Sequence, residues 1–403
     1  MGAFAAVTMR NRLLVVLPGP LWEIPSTLRR RMERLSERFE GRIVTSMEKP
    51  GRYPIGAFEL TALRYRRGAL WKPWMHLKYL LYGIKLGLAA RWGGERWDLV
   101  VAYDPLRSGL IGLLVARLAG ARFAPEVNGV YDSYANYLEG SAYPVLAFKR
   151  WLYPRLVGFT LSRSDGIKTL FPSQLRNFQH RIRTPVVEHF FDYVNLEPFS
   201  DLGEEKIVLF VGFPFRLKGV DILIEAFQRV VPRYPGWKLK ILGWFPDNRD
   251  LEECMGRHPA IFHQPPVLPS EMPEHMGRCA IFVLPSRTEA MGRVLLEAMA
   301  CAKPRIGSDL EGIPTVIADG VDGLLFRPGD ADDLAAKLDR LMGDANLRKE
   351  LGVAGRLRSV AEFNAEHYFR RLFDFYGRIL RQVPVSEPMR ASVARAQGEL
   401  DAA

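Results

Sequence analysis

The sequence predicts an α/β protein with two doubly wound, Rossmann-like domains facing a central cleft. Its 403 residues exceed what one hydrophobic core usually buries. Short apolar runs alternate with longer helical stretches, which is typical of parallel sheets with helical crossovers. The alternation is interrupted by a polar stretch at residues 199–205 and then begins again. In such folds ligands bind at the carboxyl ends of the strands.

The predicted strands fall into two series on either side of the polar stretch. The first series has strands at residues 13–17, 42–45, 98–103, 123–128, 167–171 and 186–190. Within it, Ser26 is predicted to cap a helix that continues to Phe39. The second series has strands at residues 207–211, 239–242, 281–284 and 324–326.

These series set the predicted domain boundaries. An N-terminal domain is assigned to residues 1–199 and a C-terminal domain to residues 203–365. A helix at 366–382 is expected to cross back to the N-terminal domain, and a polar tail follows at 383–403.

Cysteine usage and hydropathy bear on location. Cys254, Cys279 and Cys301 are widely spaced, which argues against a disulfide framework and a zinc site. The sequence contains no apolar run of membrane-spanning length, and its first ten residues lack the apolar core of a signal peptide. We expect a cytoplasmic protein that needs no metal.

The positive charge is concentrated in one half of the chain. Residues 1–200 carry a formal net charge of +13, whereas the remainder carries −2. A basic half is expected to face an anionic partner such as a phospholipid surface, a lipid-linked phosphate or nucleic acid. The alternative is a well-solvated basic surface with no such partner.

The first candidate binding segment follows the strand at 207–211. Gly212 ends that strand, and a loop with Arg216 and Lys218 leads to a helix that starts near Gly219. Glycine allows a ligand to approach the backbone closely, and two cations suit a diphosphate. The alternative is a basic loop closed by glycine.

The second candidate segment follows the strand at 281–284. Glu289 lies in a turn, Gly292 opens a helix and Glu297 lies within that helix. A helix N-terminus favours phosphate, and carboxylates accept hydrogen bonds from vicinal hydroxyls. Two glutamates alone would more often be ordinary surface carboxylates.

Together these segments resemble the family-four (group 1) retaining glycosyltransferases of the GT-B fold. The resemblance covers residues 205–380. It rests on Gly212 to Gly219, on the Glu-x7-Glu of Glu289 and Glu297, on the following residues 297–304, and on the segments at 312–314, 319–325 and 328–330.

The resemblance implies a site for a nucleotide diphosphate sugar such as a UDP- or GDP-sugar, with no metal or cofactor. Arg216 and Lys218 would bind the diphosphate, Glu289 the hexose hydroxyls and Glu297 the ribose. The implied donor-binding residues are Gly19, Gly212, Arg216, Lys218, Glu289, Ala290, Met291, Gly292, Arg293, Val294 and Glu297. The base is expected to bind within residues 243–269.

The chain departs from the family pattern at three places in this half. Ala302 stands where glycine is usual, Glu311 replaces the first glycine of a Gly-Gly-x-Pro-Glu pattern, and Thr315 replaces its glutamate. These changes are expected to alter the donor sugar or the loop geometry without abolishing binding, since both glutamates and both cations remain.

The N-terminal half is expected to bind the acceptor, with Tyr103, Asp104 and Asn128 as candidates. Tyr103 and Asn128 stand where the family often has histidine, and asparagine cannot titrate. The resemblance then implies a front-face route in which the leaving phosphate deprotonates the acceptor. The implied catalytic residues are Glu289, Lys218, Arg216 and Asn128. The alternative is that Asn128 only closes a turn.

A stretch at residues 68–97 combines aromatic and cationic groups on one predicted helix. Its members are Trp71, Lys72, Trp74, Lys78, Tyr79, Tyr82 and Lys85. With the nearby arginines at 29–31, 34 and 38, it could dock the basic half on the anionic inner membrane face. The alternative is a packed core helix whose cations extend to solvent.

The predicted function is transfer of a hexose-type sugar to a lipid-linked glycan or a cell-envelope polysaccharide precursor. A sugar-nucleotide epimerase on the same fold is a second hypothesis, and a basic nucleic-acid-binding protein is a third. Asp330-Ala331-Asp332 resembles a metal-binding Asp-x-Asp only in its letters, and Asp330 is predicted to cap a helix.

Overall fold

The computed structural model describes residues 10–66, 68, 71–131, 143–245, 249–256 and 258–381. The predicted tail at 383–403 and residues 246–248 and 257 of the predicted base-binding segment lie outside these ranges. The chain divides into two compact units. The N-terminal unit contains the chain up to Asn128, Trp151–Phe190 and the residues from Phe369 onward. The C-terminal unit contains Gly129–Arg150 and Phe191–Tyr368.

The elements of the first half of the chain alternate between strands and helices, except for three consecutive strands within residues 39–64. In chain order they are β1 (Asn11–Val16), α1 (Ser26–Leu35), β2 (Phe39–Met47), β3 (Gly51–Ile55), β4 (Phe58–Arg64), α2 (Lys72–Arg91), β5 (Leu99–Ala102), α3 (Arg107–Ala119), β6 (Arg122–Val127), α4 (Tyr143–Leu161), β7 (Ile167–Thr169), a 3-10 helix (Pro172–Arg181) and β8 (Val187–His189).

The second half continues the same alternation and ends in three consecutive helices. Its elements are β9 (Glu205–Val211), α5 (Val220–Val230), a 3-10 helix (Val231–Arg233), β10 (Lys238–Leu242), α6 (Arg249–Met255), β11 (Ile261–Gln264), α7 (Met272–Arg278), β12 (Cys279–Leu284), α8 (Arg293–Ala300), β13 (Arg305–Ser308), α9 (Ile313–Val316), β14 (Leu324–Phe326), α10 (Ala331–Gly343), α11 (Ala345–Glu362) and α12 (Ala365–Arg381).

The N-terminal unit is built on an eight-stranded sheet in the order β3-β4-β2-β1-β5-β6-β7-β8. Its pairs are parallel except that β3 runs antiparallel to β4 at the edge. The two central strands, β1 and β5, are apolar along their whole buried length, as expected when helices cover both faces. This sheet brings the carboxyl ends of β1, β5 and β6 to one edge.

The helices α2 and α3 pack closely against each other because glycines of α2 line the contact between them. A Cβ atom added at Gly87 of α2 would lie 2.7 Å from Cβ of Leu118 in α3. Tyr79 of α2 is buried, and its hydroxyl donates to the carbonyl oxygens of Leu17 and Val44 at 2.6 and 2.7 Å. One face of α2 is therefore part of the core.

The last helix, α12, belongs to the N-terminal unit from Phe369 onward. Glu126 of β6 is fully buried and accepts hydrogen bonds from Arg31 of α1 and from the hydroxyl of Tyr376 of α12. Glu188 of β8 accepts from Arg371 and Arg378 of α12. Buried carboxylates of the sheet thus bind the helix that completes this unit.

The C-terminal unit is built on a six-stranded parallel sheet in the order β11-β10-β9-β12-β13-β14. The strands β9 and β12, which precede the two candidate binding segments, are neighbours at its centre. Their carboxyl ends therefore lie side by side, although residues 211 and 284 are far apart in sequence.

Each strand predicted from the sequence is present, and the α/β class with two doubly wound units is confirmed. Four strands were missed: β3, β4, β11 and β13. The prediction that Ser26 caps a helix ending at Phe39 was wrong, because Ser26 is already helical, the helix ends at Leu35 and Phe39 begins β2. The predicted cap at Asp330 is confirmed by hydrogen bonds from the backbone N–H groups of Asp332 and Asp333.

None of the helices in the described part of the chain combines the length and apolarity needed to cross a membrane. Within the same ranges, His, Cys, Asp and Glu side chains nowhere form a group of three that could hold a metal ion.

Candidate functional site

The candidate site lies at the carboxyl edge of the C-terminal sheet, where the loops after β9 and β12 touch. Gly219, which closes the first loop, has a φ of +67°, and a Cβ atom there would lie 1.9 Å from the carbonyl oxygen of Pro285 in the second loop. The backbone N–H of Arg287 donates to the carbonyl of Leu217 at 2.9 Å. Glycine is required here because the two loops meet backbone to backbone.

Lys218 and Glu289, predicted from separate segments, are brought together by this contact. The ammonium group of Lys218 donates to Oε2 of Glu289 at 2.6 Å. The two side chains remain 20% and 14% exposed, so both can be reached from solvent. The second carboxylate oxygen and the remaining ammonium protons can bind further groups.

Arg216 lies beside this pair in an ion-pair network that the sequence analysis did not predict. Its guanidinium donates to Asp221, in the first turn of α5, at 3.2 Å and is about half exposed. Arg287 donates to both oxygens of Asp221 at 2.8 Å. Burial raises the pKa of Asp221, but the hydrogen bonds and charges of Arg287 and Arg216 outweigh it and hold that pKa below its usual value. Asp221 thus stays ionised and fixes both arginines.

Arg287 is therefore a functional candidate that was missed. Its signal in the sequence was its place three residues after the end of β12, in the same run as Glu289. That position alone does not reveal that its partner is Asp221, 66 residues earlier.

The helix α8 starts directly after this turn. Gly292 is its N-cap with a φ of +65°, and no side chain among the described residues caps its first turn. Met291 is buried, Ala290 and Val294 are half-buried, and Arg293 is exposed. The N-terminal N–H groups of α8 are thus presented beside the Lys218–Glu289 pair.

Glu297 lies on α8 and is half-buried. Burial raises the pKa of its carboxyl group to about 7, and the opposing charge of Arg293 only partly offsets this. Near neutral pH the group is therefore divided between its acidic and its ionised form, a state that binding of hydroxyl donors would shift.

Two aromatic side chains stand next to the glycines that end β9 and β10. Phe213 follows Gly212, Trp244 follows Gly243, and their ring centroids are 5.1 Å apart. The side chains are 44% and 57% exposed, which is unusual for such large apolar groups. A Cβ atom at Gly243 would lie 2.2 Å from the carbonyl oxygen of Gly212, so the two loops are held close together.

The N-terminal unit gathers the remaining predicted residues at the carboxyl ends of β1, β5 and β6. Gly19 packs on Ser46, whose hydroxyl would lie 2.0 Å from an added Cβ atom. The side-chain amide of Asn128 donates to the carbonyl of Tyr103 at 3.2 Å, and its Oδ1 is buried without a hydrogen-bond partner among the described residues. Arg31 lies over the ring of Tyr103 at 4.4 Å.

The side chain of Asp104 is hydrogen-bonded to the first residues of α3. Its carboxylate accepts from the backbone N–H groups of Leu106, Arg107 and Ser108 at the start of α3 and from the hydroxyl of Ser108. With its acceptor capacity used in this way, Asp104 caps α3, and its predicted contact with an acceptor stays a prediction.

Comparison with known proteins agrees with this geometry. Residues 197–358 match the family model of glycosyl transferases group 1. Alpha-maltose-1-phosphate synthase of Mycolicibacterium smegmatis is 34% identical over 189 residues, which is 43% of this chain and 48% of that protein. The chain therefore spans about half the length of this relative.

Solved structures extend the similarity to the whole fold. Sucrose-phosphate synthase from Thermosynechococcus elongatus superposes with a TM-score of 0.75 at 19% identity, over 93% of this chain and 100% of that one. HepE of Anabaena, solved in complex with UDP-glucose, superposes with a TM-score of 0.67 at 13% identity, over 91% and 99% of the two chains.

Fold and family match together define the class. The protein has the GT-B fold. Residues 197–358 match the model of the group 1 glycosyltransferase family, so the resemblance described from the sequence is confirmed for this segment.

Proposed function

We propose that this protein is a retaining, metal-independent glycosyltransferase that moves a hexose-type sugar from a nucleotide diphosphate sugar to an acceptor. The observation that carries the proposal is the Lys218–Glu289 pair, 2.6 Å apart where the loops after β9 and β12 meet. An ammonium group and a carboxylate that meet beside a helix N-terminus support the binding of phosphate by the first and of sugar hydroxyls by the second.

The diphosphate is assigned to Lys218 and Arg216, with Arg287 close by. In the described part of the chain Arg216 and Arg287 pair with Asp221, and Lys218 pairs with Glu289, so three cations converge beside the turn that holds Glu289. The ammonium group of Lys218 has three donors, so it can keep its bond to Glu289 while it binds a phosphate oxygen. Oε1 of Glu289 then accepts hydrogen bonds from the hexose hydroxyls. Glu297 of α8 accepts hydrogen bonds from the ribose hydroxyls.

The nucleobase is assigned to the exposed aromatic pair of Phe213 and Trp244. These rings follow Gly212 and Gly243 on adjacent strands, where the backbone is open to close approach. Bases stack on aromatic side chains whatever their identity. HepE was solved with UDP-glucose, which makes uridine the first base to test.

Chemistry with retention requires no protein nucleophile in this proposal. The acceptor hydroxyl bonds to the anomeric carbon on the face from which the diphosphate leaves. The bond between that carbon and the phosphate oxygen breaks, and the hydroxyl proton passes to the departing phosphate. Lys218 and Arg216 stabilise the charge that develops on the phosphate. Asn128, which cannot titrate, would orient the acceptor or the sugar by hydrogen bonding.

The acceptor is assigned to the N-terminal unit as a lipid-linked glycan or a cell-envelope polysaccharide precursor, used at the cytoplasmic face of a membrane. This half of the chain is the basic one, at +13 over residues 1–200. On α2, Trp74, Leu77 and Leu81 recur at helical spacing and are 59%, 43% and 55% exposed. Tyr79, which the sequence analysis grouped with Trp74, is instead buried, so the exposed apolar surface of α2 is narrower than predicted.

A panel of nucleotide sugars tests the proposal most directly. Thermal unfolding is measured with UDP-glucose, UDP-N-acetylglucosamine, GDP-mannose, UDP and GDP, each in large excess. A true donor should raise the melting temperature, because ligand that binds only the native state stabilises it. No shift with any of the nucleotides would contradict the proposed donor site.

The epimerase hypothesis is separated by product analysis. A transferase releases nucleoside diphosphate from the donor in the presence of acceptor or, slowly, of water. A sugar-nucleotide epimerase would instead return a nucleotide sugar of changed stereochemistry. Detection of the epimer without transfer would favour that alternative.

A further inference from the structure

Glu311, in the loop after β13, adopts a backbone conformation that its side chain disfavours. Its φ is +49°, and among the described residues only Ala302 shares a left-handed φ without being glycine. Non-glycine residues adopt this region rarely, since Cβ crowds the following carbonyl. Glycine would suit both positions without this crowding.

The side chain of Glu311 is bound to the donor loop. Its Oε2 accepts from the hydroxyl of Thr288 at 2.8 Å and from the backbone N–H of Glu289 at 2.6 Å. The next residue, Gly312, donates its backbone N–H to the carbonyl of Glu289 at 3.1 Å. The side chain of Glu311 therefore binds the backbone N–H of Glu289, and the backbone N–H of Gly312 binds the carbonyl oxygen of Glu289.

We infer that Glu311 is a positioning residue that fixes Glu289 for recognition of the donor sugar. This inference rests on the proposed function, in which Glu289 binds the hexose. One side-chain oxygen of Glu311 accepts two hydrogen bonds from the donor loop, so Glu311 holds the main chain of Glu289 in one position. The carboxylate of Glu289 is then aligned from two directions, by Glu311 through the backbone and by Lys218 through the side chain.

The hydrogen bond between Glu311 and the backbone N–H of Glu289 also affects which ligand groups the turn at Glu289 can bind. The N–H of Glu289 would otherwise be free to bind an anion, as N–H groups before a helix often do. Glu311 occupies that donor with a carboxylate. Phosphate recognition is thereby left to Lys218, the neighbouring arginines and the N-terminal N–H groups of α8, and the turn at Glu289 recognises hydroxyl groups.

Three variants at position 311 separate positioning from backbone strain. Glu311→Gly removes both the strain and the acceptor. Glu311→Asn tolerates a left-handed φ without adding a glycine, but its side chain is one carbon shorter. Glu311→Gln keeps the length, and its single carbonyl oxygen can accept from both Thr288 and Glu289. Ala302→Gly is the matched control, because it relieves the same kind of strain without contacting the donor loop.

The readouts are the affinities for UDP-glucose and for UDP by calorimetry, the values of kcat and KM, and the melting temperature. If the nucleotide panel selects guanosine, GDP-mannose and GDP replace them. We expect Glu311→Gly and Glu311→Asn to lose about tenfold or more in kcat/KM and in affinity for the nucleotide sugar, while affinity for the nucleoside diphosphate stays within about twofold. Glu311→Gln and Ala302→Gly should remain within about threefold of the unmodified protein.

Two results would overturn the inference. One is a Glu311→Gly variant with unchanged affinity for the nucleotide sugar and unchanged kcat/KM, which would show that Glu311 has no role in donor recognition. The other is a Glu311→Gln variant as impaired as Glu311→Gly, which would show that the hydrogen bonds to Thr288 and Glu289 are not what matters. A Glu289→Ala variant run in parallel distinguishes the levels. If it is impaired while Glu311→Gly is not, only this inference fails, whereas unchanged sugar affinity in Glu289→Ala contradicts the proposed function itself.

Discussion

Lys218 and Glu289 form a partly exposed ion pair, and such pairs contribute little to the free energy of unfolding. Each charge therefore matters more for binding a ligand than for stabilising the fold. The residues around them differ in this respect, since Asp221 is held ionised by two arginines and serves to fix their positions. This contrast between ligand-facing and supporting charges sets the expectations for mutation.

Replacing Lys218 or Glu289 by alanine should lower turnover by about 100-fold or more, because each change removes a group that acts on the reacting diphosphate or the sugar. The melting temperature should change little. Steady-state rates and thermal unfolding of the same preparations check this. Arg229→Ala is the control, because Arg229 pairs with Glu225 and Asp332 on the surface of the same unit. Near-normal rates in both site variants would refute the assignment.

Glu297 provides a prediction of pH dependence at the scale of one residue. Its pKa of about 7 means that ionisation proceeds between pH 6 and 8, and the ionised carboxylate accepts hydrogen bonds from the ribose hydroxyls more strongly than the neutral acid does. Affinity for UDP-glucose should therefore rise with pH across this range, by up to about tenfold. The phosphates of UDP-glucose do not titrate in this range. Calorimetry at several pH values therefore measures the contribution of Glu297 to the affinity.

The sign of the effect on folding is opposite. Because the native pKa of about 7 lies above the ordinary value of 4.5, the native state binds more protons than the unfolded state between these values. The contribution of Glu297 to stability is therefore full below pH 4.5 and is lost as the pH rises through 7. Glu297→Gln should flatten both profiles, and a pH dependence of sugar-nucleotide affinity that survives this change would exclude Glu297 as its source.

At the scale of elements, α12 is held to the N-terminal sheet by buried polar groups. Arg31, Glu126 and Tyr376 are mutually hydrogen-bonded, and Arg31 and Glu126 are 5% and 0% exposed. Burial, reinforced by the charge of Glu126, raises the pKa of the Tyr376 phenol well above its ordinary value, so the hydroxyl keeps the proton that it donates.

Glu126→Ala should destabilise this unit by about 3–5 kcal/mol, because it leaves the guanidinium of Arg31 buried without its carboxylate. Tyr376→Phe keeps the ion pair and should cost only about 1 kcal/mol. Urea unfolding followed by circular dichroism measures the two. Equal losses in both variants would mean that the ion pair is not the dominant contribution.

On the scale of the whole molecule, charge is divided between the two halves of the sequence. The excess of +13 over residues 1–200 coincides with exposed aromatic and aliphatic side chains on α2. Cations combined with apolar side chains are the elements of interfacial binding to anionic lipid. The opposite half, at −2, has no comparable excess.

The protein should therefore sediment with vesicles that contain phosphatidylglycerol and not with pure phosphatidylcholine vesicles, and raised salt should weaken this binding because charges are screened. Trp74→Ala with Leu81→Ala should reduce it several-fold. Leu357→Ala is the control, because Leu357 of α11 in the other unit is 68% exposed and Leu81 is 55% exposed. Failure to bind anionic vesicles at low salt would contradict membrane docking.

Much of this architecture could be predicted from the sequence, and the exceptions have physical reasons. The main strands were found because they are continuous apolar runs. The strand β13 was missed because Arg305 and Ser308 interrupt its apolar pattern, and the charge of Arg305 is neutralised by Asp322, which lies 17 residues further on. The hairpin of β3 and β4 was missed because its antiparallel edge breaks the strand–helix alternation that guided the prediction.

The same distinction applies to the candidate site. The meeting of Lys218 and Glu289 could be anticipated, since both follow strands of one parallel sheet. The partnership of Arg287 with Asp221 and the contact of Glu311 with Glu289 could not, because each depends on the direction of a side chain across two loops. The resemblance identified Glu311 as a departure from the family, and only the structure shows what it touches.

The position of α12 has a consequence for how the chain is made. The N-terminal sheet leaves the ribosome before α12 does, and Arg371 and Arg378 are synthesised 183 and 190 residues after Glu188, their partner in the sheet. During that interval Phe191–Tyr368, the larger segment of the C-terminal unit, can fold, while the N-terminal sheet still lacks α12 and Glu188 lacks its two arginines. The N-terminal unit therefore cannot be completed until α12 has been synthesised, although most of its residues precede those of the C-terminal unit in the sequence.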